Sequence, residues 1–153
     1  DTEAAIESHE TALNLHPNSL NAHNNLGIAY RKAEKTDEAI LSLRRAIQLF
    51  PDFTEAHNNL GNALRDDGQI NASIEVFETI LKRKVTFQGL VFDFTKEAQI
   101  YTNLAQSYVA RGDLHKARVA LMKALEIDPN NRAAQQGLRK LQRPVKQPSA
   151  NKS

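Results

Sequence analysis

Asparagine is the residue this sequence places by position. Asn25, Asn59 and Asn103 stand 34 and 44 residues apart, and Asn24, Asn58 and Thr102 precede them. Asn21, Glu55 and Gln99 keep the same intervals, as do Ile28, Asn62 and Gln106. A carboxamide carries two N–H donors and a carbonyl acceptor. A row of carboxamides can therefore bond to the main chain of an extended peptide with little regard for its side chains. Asparagine is also a poor residue inside a helix, because its amide competes for backbone groups. Repeating it on one helical face costs stability, which points to a use; the plain alternative is a solvated polar face with no target. Arg31, Lys32 and Arg65 lie close by and add a mild preference for acidic ligands, tempered by Glu55 and Asp66.

No other spacing matches a reactive centre. The chain has no cysteine, so disulfides, thiolate metal sites and cysteine nucleophiles are excluded together. His9-Glu10 does not continue as a zinc-protease motif, because Leu13 stands where the second histidine is required. His9 and His16 could share a helix face, but two ligands make a weak metal site, and they read as surface residues. His23 and His57 are 34 residues apart and read as structural. No glycine-rich phosphate loop and no Gly-x-Ser-x-Gly motif occurs. Carboxylates such as Asp37, Glu38, Glu75 and Glu78 fall on outward helical faces. The expectation is a chain with no catalytic residue, no metal and no cofactor.

The elements that must carry the amides are repeats. Ala22-His23-Asn24-Asn25-Leu26-Gly27 recurs letter for letter as Ala56-His57-Asn58-Asn59-Leu60-Gly61, 34 residues on. Pro17 and Pro51, Ala12 and Ala46, and Ala5 and Ala39 keep that interval. A third copy follows 44 residues after the second, as Leu60 to Leu104 and Ile80 to Ala124 show, so ten residues have been inserted near Val85–Glu97. Within a unit, Leu26, Ala29, Tyr30 and Ala33, then Ala39, Ile40, Leu43, Ala46 and Ile47, recur at helical spacing. Two amphipathic helices per unit follow. The small residues Gly27, Gly61 and Ala105 let the helices of a pair approach closely; a helical glycine costs about 1 kcal/mol against alanine, and close contact supplies the reason. Thr36 and Asp113 are expected to cap second helices. Gly68 and Gly112 suit a left-handed turn residue, and Glu34 in the equivalent place weakens its turn. Pro51 and Pro129 stop the second helices.

A 34-residue unit with this pattern resembles the tetratricopeptide-repeat (TPR) family. Its markers are Leu26, Gly27, Tyr30, Ala39, Leu43, Ala46 and Pro51 in one unit. The next has Leu60, Gly61, Leu64, Ser73, Phe77 and Ile80, with Val85 in place of proline. The last has Leu104, Ala105, Tyr108, Ala117, Leu121, Ala124 and Pro129. Ala5, His9, Ala12 and Pro17 fit a preceding second half. The resemblance covers roughly residues 2–142 and implies an all-α solenoid of antiparallel helix pairs in a right-handed superhelix. The expected organisation is a half repeat at 1–19, repeats at 20–53, 54–87 and 98–131, an insertion at 88–97, and a C-terminal capping helix at 132–142. Residues 143–153 form a basic, disordered tail.

In that family the first helix of each unit lines a concave groove. The resemblance thus implies a peptide-binding groove made of Asn21, Asn24, Asn25, Arg31, Lys32, Asn58, Asn59, Asn62, Arg65, Gln99, Asn103 and Gln106. Its asparagine ladder is similar to those of O-GlcNAc transferases and kinesin light chains. The lysine clamp with which TPR co-chaperones grip a chaperone's C-terminal carboxylate is missing, since Asn24, Asn58, Thr102, Gln99 and Asn103 stand at the matching positions.

The insertion places Phe87, Phe92 and Phe94 within a few residues. They either fold back over neighbouring units or form a docking patch for a partner or a second copy. The net charge of +2 is too small to imply nucleic acid, and no run of about 18 apolar residues implies membrane insertion. The expected partner is a protein or peptide, with a homo-oligomer open through the N-terminal half repeat or the insertion. The chain reads as a non-catalytic scaffold or adaptor. The alternatives are the targeting arm of a larger glycosyltransferase-like enzyme and a self-assembling module. A cytoplasmic location is expected; it is left open if the chain, which starts at Asp1 within a helical pattern, is part of a longer protein.

Overall fold

The computed structural model describes residues 1–83 and 94–142, apart from the side chains of Phe94 and Thr95. They form α1 (Thr2–Leu15), α2 (Leu20–Lys32), α3 (Thr36–Leu49), α4 (Thr54–Asp66), α5 (Ile70–Arg83), α6 (Phe94–Arg111), α7 (Leu114–Ile127) and α8 (Arg132–Gln142). There is no strand among the described residues. Helices α2, α4 and α6 are the first helices of three pairs, and α3, α5 and α7 the second.

The helix starts follow from short polar side chains. Asp1, Ser19, Asp113 and Asn131 each accept a hydrogen bond from a main-chain N–H two or three residues on, at 3.0–3.3 Å. Thr36 does not cap as expected: it is the first residue of α3, and Lys35 holds the cap position without a side-chain bond. The helix α6 also begins earlier than the repeat register suggests. Residues 94–97, expected in the insertion, are helical and lengthen α6 to 18 residues. No proline or glycine separates them from Ala98, so nothing stops the helix from growing backward.

Three turns join first to second helices with one geometry. Glu34, Gly68 and Gly112 adopt φ of 60, 79 and 87°. The N–H of the following residue then bonds back to the carbonyls of Tyr30, Leu64 and Tyr108 at 2.8–2.9 Å. Glu34 makes the same turn as the glycines while carrying a Cβ in the left-handed region. Glu34→Gly is expected to stabilise the fold by about 1 kcal/mol. A urea melt that shows a lower midpoint for this variant would contradict the reading.

The core repeats with the sequence. Leu43, Phe77 and Leu121 are buried in the second helices; Leu43 lies against Gly27, Phe77 against Gly61, and Leu121 against Gly137 on α8. A Cβ on Gly27 would meet Leu43 Cγ at 2.5 Å, and one on Gly61 would meet Phe77 Cζ at 2.4 Å. The α4–α5 pair also carries a buried polar stitch. Ser73 Oγ lies 2.7 Å from the Gly61 carbonyl and 2.8 Å from Ser107 Oγ on α6. Helix α8 continues the register of the first helices: Ala134 is fully buried where Ala22 and Ala56 are, and Leu138 and Leu141 pack on the α5–α7 core. Helix α8 (Arg132–Gln142) is the C-terminal capping helix of the described array.

A side-chain staple fastens three first helices to the loops before them. His23 Nε2, His57 Nε2 and Gln135 Nε2 lie 2.8–2.9 Å from the carbonyls of Pro17, Pro51 and Pro129. A carbonyl only accepts, so each nitrogen carries the proton. His57 is 6% exposed, and its Nδ1 is buried without a partner. Burial, reinforced by Arg83, pushes the His57 pKa below its ordinary value; the Pro51 carbonyl and Asp52 oppose this. The folded state therefore binds the second proton less readily than the unfolded chain. Stability is expected to be level above a pH of about 6.5 and to fall as the pH drops below it. His57→Gln, which can keep the bond as Gln135 does, should flatten that part of the profile. An unchanged slope in a series of urea melts would assign the dependence elsewhere.

Candidate functional site

First helices touch one another directly: α2 packs on α4, and α4 on α6. No comparable contact joins α3 to α5 or α5 to α7. The first helices thus sit closer together and form the inner wall of the curve. Their inward rows run through Asn21, Asn25, Ile28 and Lys32 on α2, through Glu55, Asn59, Asn62 and Asp66 on α4, and through Gln99, Asn103 and Gln106 on α6.

The amides do not all face outward. Asn24 is 2% exposed, wedged between α2 and α4. It donates to Glu55 Oε1 at 3.3 Å and accepts from Asn59 Nδ2 at 3.0 Å. One unit on, Asn103 is 6% exposed; it donates to Asn58 Oδ1 at 2.8 Å and accepts from Gln99 Nε2 at 3.1 Å. Both Asn24 bonds and the Asn103–Asn58 bond join one unit to the next, while the Gln99 bond lies within α6. The expectation that Asn24 and Asn103 present themselves to a ligand is corrected here, because both are buried and hold first helices together. Asn21, Asn25 and Gln106 are exposed and make no hydrogen bond among the described residues. Asn58 and Asn59 are half-buried, each with part of its amide free. Asn62 is half-buried, and its Oδ1 is enclosed without a partner. Such an orphan acceptor costs about 1–3 kcal/mol.

The cations of the groove are largely answered from within. Arg31 Nε and an Arg65 guanidinium nitrogen reach the same carboxylate, Asp66, at 3.7 and 3.9 Å. Arg65 also donates to the Asn103 carbonyl at 3.4 Å. Burial pulls the Arg65 pKa below its ordinary value, with Asp66 opposing. Lys32 is exposed and makes no ion pair among the described residues. It borders a cavity of about 330 Å³ between α1 and α2, lined also by Ala5, Asn25, Ile28 and Ala29.

Sequence reading missed a second set of links. Tyr30 donates its hydroxyl proton to Glu10 at 2.5 Å, and Tyr108 donates to Glu78 at 2.6 Å. The Glu10 bond pushes the Tyr30 pKa up to about 12, while burial foremost, then Glu78, raises that of Tyr108. A signal existed: the equivalent positions in the middle unit hold Leu64 and Arg44, so tyrosine occurs only where glutamate precedes it. The suggested docking patch is not in view. Phe87 and Phe92 lie outside the described residues, as does the side chain of Phe94, which opens α6. The tail 143–153 is likewise outside them. Among the described residues, no group of three or more histidine, aspartate or glutamate side chains could hold a metal, and no helix is long and apolar enough to cross a membrane.

Comparisons with known proteins fit this architecture. A family model described as "TPR repeat" matches residues 29–68. Two models described as "Tetratricopeptide repeat" match residues 10–40, and residues 54–84 and 98–131. No curated protein matches the chain. Among solved structures, the crystal structure of MamA is 24% identical with a TM-score of 0.76, over 92% of this chain and 77% of that one. Pseudomonas aeruginosa pilF is 17% identical with a TM-score of 0.80, over 92% of this chain and 60% of that one. The first TPR of Spaghetti (RPAP3), bound to the HSP90 peptide SRMEEVD, is 20% identical with a TM-score of 0.68, over 80% and 89%. At these identities the likeness is one of fold.

Proposed function

This chain belongs to the tetratricopeptide-repeat family, and on that premise we propose that it is a protein-interaction adaptor that binds an extended peptide along its inner wall. The observation that carries this reading is the exposed carboxamides Asn21, Asn25 and Gln106, with the free halves of Asn58 and Asn59 between them. These groups serve main-chain amides in both directions. Packed helices lie about 8–10 Å apart, and an extended chain rises about 3.3 Å per residue. One first helix therefore corresponds to about three ligand residues, and three helices to about nine.

The acidic chaperone tail is a poor candidate ligand. Asn24 and Asn103, at two of the clamp positions, are buried and held by internal bonds, and Asp66 occupies Arg31 and Arg65. A peptide with a free main chain and little net charge fits better.

The test uses the exposed amides alone, because replacing Asn59 or Asn103 would also break contacts between helices. A displayed library of random nonapeptides is selected on the immobilised chain. The triple variant Asn21→Ala, Asn25→Ala, Gln106→Ala is expected to bind the selected peptides at least tenfold more weakly, about 1.4 kcal/mol, with an unchanged thermal midpoint. Equal binding by both proteins would rule the groove out.

A further inference from the structure

We propose that Glu55 fixes the polarity of the central carboxamide rung, so that the groove meets its ligand there with a carbonyl acceptor and selects a main-chain N–H. This rests on the groove reading above and adds what the middle of the groove asks of a ligand.

A carboxamide can usually turn over, exchanging its oxygen for its nitrogen, because both ends can hydrogen-bond. Here that freedom is removed by a group that only accepts. Asn24 Nδ2 donates to the Glu55 carboxylate. The NH2 end of Asn24 must therefore face Glu55, which turns its oxygen toward Asn59. Asn59 answers with Nδ2 at 3.0 Å. Its own carbonyl oxygen is left pointing away from α2. That oxygen has no hydrogen-bond partner among the described residues, yet it is not enclosed, since the enclosed orphans are Asn62 Oδ1 and His57 Nδ1. Three residues on two helices thus form a directed relay that starts at a carboxylate and ends at a solvent-facing acceptor.

The next unit supplies the contrast. The residue in the place of Glu55 is Gln99, and it bonds to Asn103 directly. Gln99, Asn103 and Asn58 are all amides, and nothing in that relay is restricted to accepting. Its direction can reverse to suit a ligand. The rung at Asn59 cannot reverse without setting the Asn24 carbonyl against the Glu55 carboxylate. The central rung is selective, and the following one is tolerant.

A ligand residue that reaches Asn59 must bring a donor. A proline or an N-methylated residue at that register leaves the Asn59 carbonyl unanswered and adds a clash.

The tightest nonapeptide from the displayed library is synthesised, and each of its amide nitrogens is methylated in turn. With the unaltered chain, one position is expected to lose at least tenfold in affinity. In Glu55→Gln, an isosteric change that lets the relay turn over, the penalty at that position should shrink to less than threefold. The proposal is overturned if no single position stands out, or if the penalty is the same in both proteins. A second measurement needs no ligand. In spectra of the 15N-labelled chain, Glu55→Gln should move the side-chain NH2 signals of Asn24 and Asn59 while leaving those of Asn21 and Asn25 in place. Unmoved Asn59 signals would refute the relay even if peptides bind. Moved signals with no peptide selected would leave the relay standing and remove the groove reading instead.

Discussion

Gly61→Ala is expected to destabilise the fold by about 2 kcal/mol, although alanine is the better helix former by about 1 kcal/mol. The added methyl would lie 2.4–2.8 Å from three carbons of the Phe77 ring. That ring is fully buried, so it cannot swing aside without displacing Ile74 and Ile80 beside it on α5. The neighbouring helix α4 must shift instead. The Gly61 carbonyl also accepts from Ser73, so a shift there strains the buried link to Ser107. Phe77→Leu on its own leaves a cavity and should cost about 1–3 kcal/mol. Combined with Gly61→Ala, it should recover stability, because the smaller side chain vacates the space the methyl needs. The coupling is read from a double-mutant cycle in urea. A thermal midpoint that rises in Gly61→Ala would mean that helix propensity decides at this site and that the close approach is incidental.

Asn24→Asp tests the other kind of contact and is expected to cost about 3 kcal/mol at neutral pH. The change is isosteric and keeps the acceptor that Asn59 uses. It also sets a second carboxylate 3.3 Å from Glu55 in a position that is 2% exposed. Two such groups cannot both ionise at low cost, so one must hold a proton. The folded pKa of the pair is raised above the unfolded value of about 4. The variant should therefore keep its stability below that pH and lose it as the pH rises toward the raised folded value. The unaltered chain has no such loss from this site. Melts at several pH values separate the two, and a variant equally stable at pH 4 and pH 7 would show that Asn24 is not buried beside Glu55.

Much of the fold could be read from spacing, because each repeat states the same packing problem again. Gly27, Gly61 and Ala105 pointed to close helix pairs, and the distances to Leu43 and Phe77 give the reason. His23 and His57 were read as structural, and both fasten a loop carbonyl. The groove was legible as a face but not as a set of roles. Asn24 and Asn25 are adjacent in sequence and about 100° apart around a helix, so one is buried against α4 and the other is open. Which of them meets the next first helix depends on how far one unit rotates on another. That rotation arises from packing summed over whole helices and leaves no mark at a single position. The early start of α6 was missed for a related reason. Repeat register locates equivalent residues, whereas a helix ends only where something stops it, and residues 94–97 contain no proline or glycine.

Helix α8 keeps the register of the first helices, and in that register Arg139 takes the seat that Gly27, Gly61 and Ala105 hold in theirs. Gly27 and Gly61 are the openings into which Leu43 and Phe77 of the same pairs fit. Arg139 is exposed, and its long charged side chain stands where a following second helix would have to come close. Arrays of this kind are lengthened by copying units, in evolution as in design, and each second helix must find a small residue on its own first helix. A second helix grafted after α8 would therefore need Arg139→Gly before it could pack on α8 as α3 packs on α2.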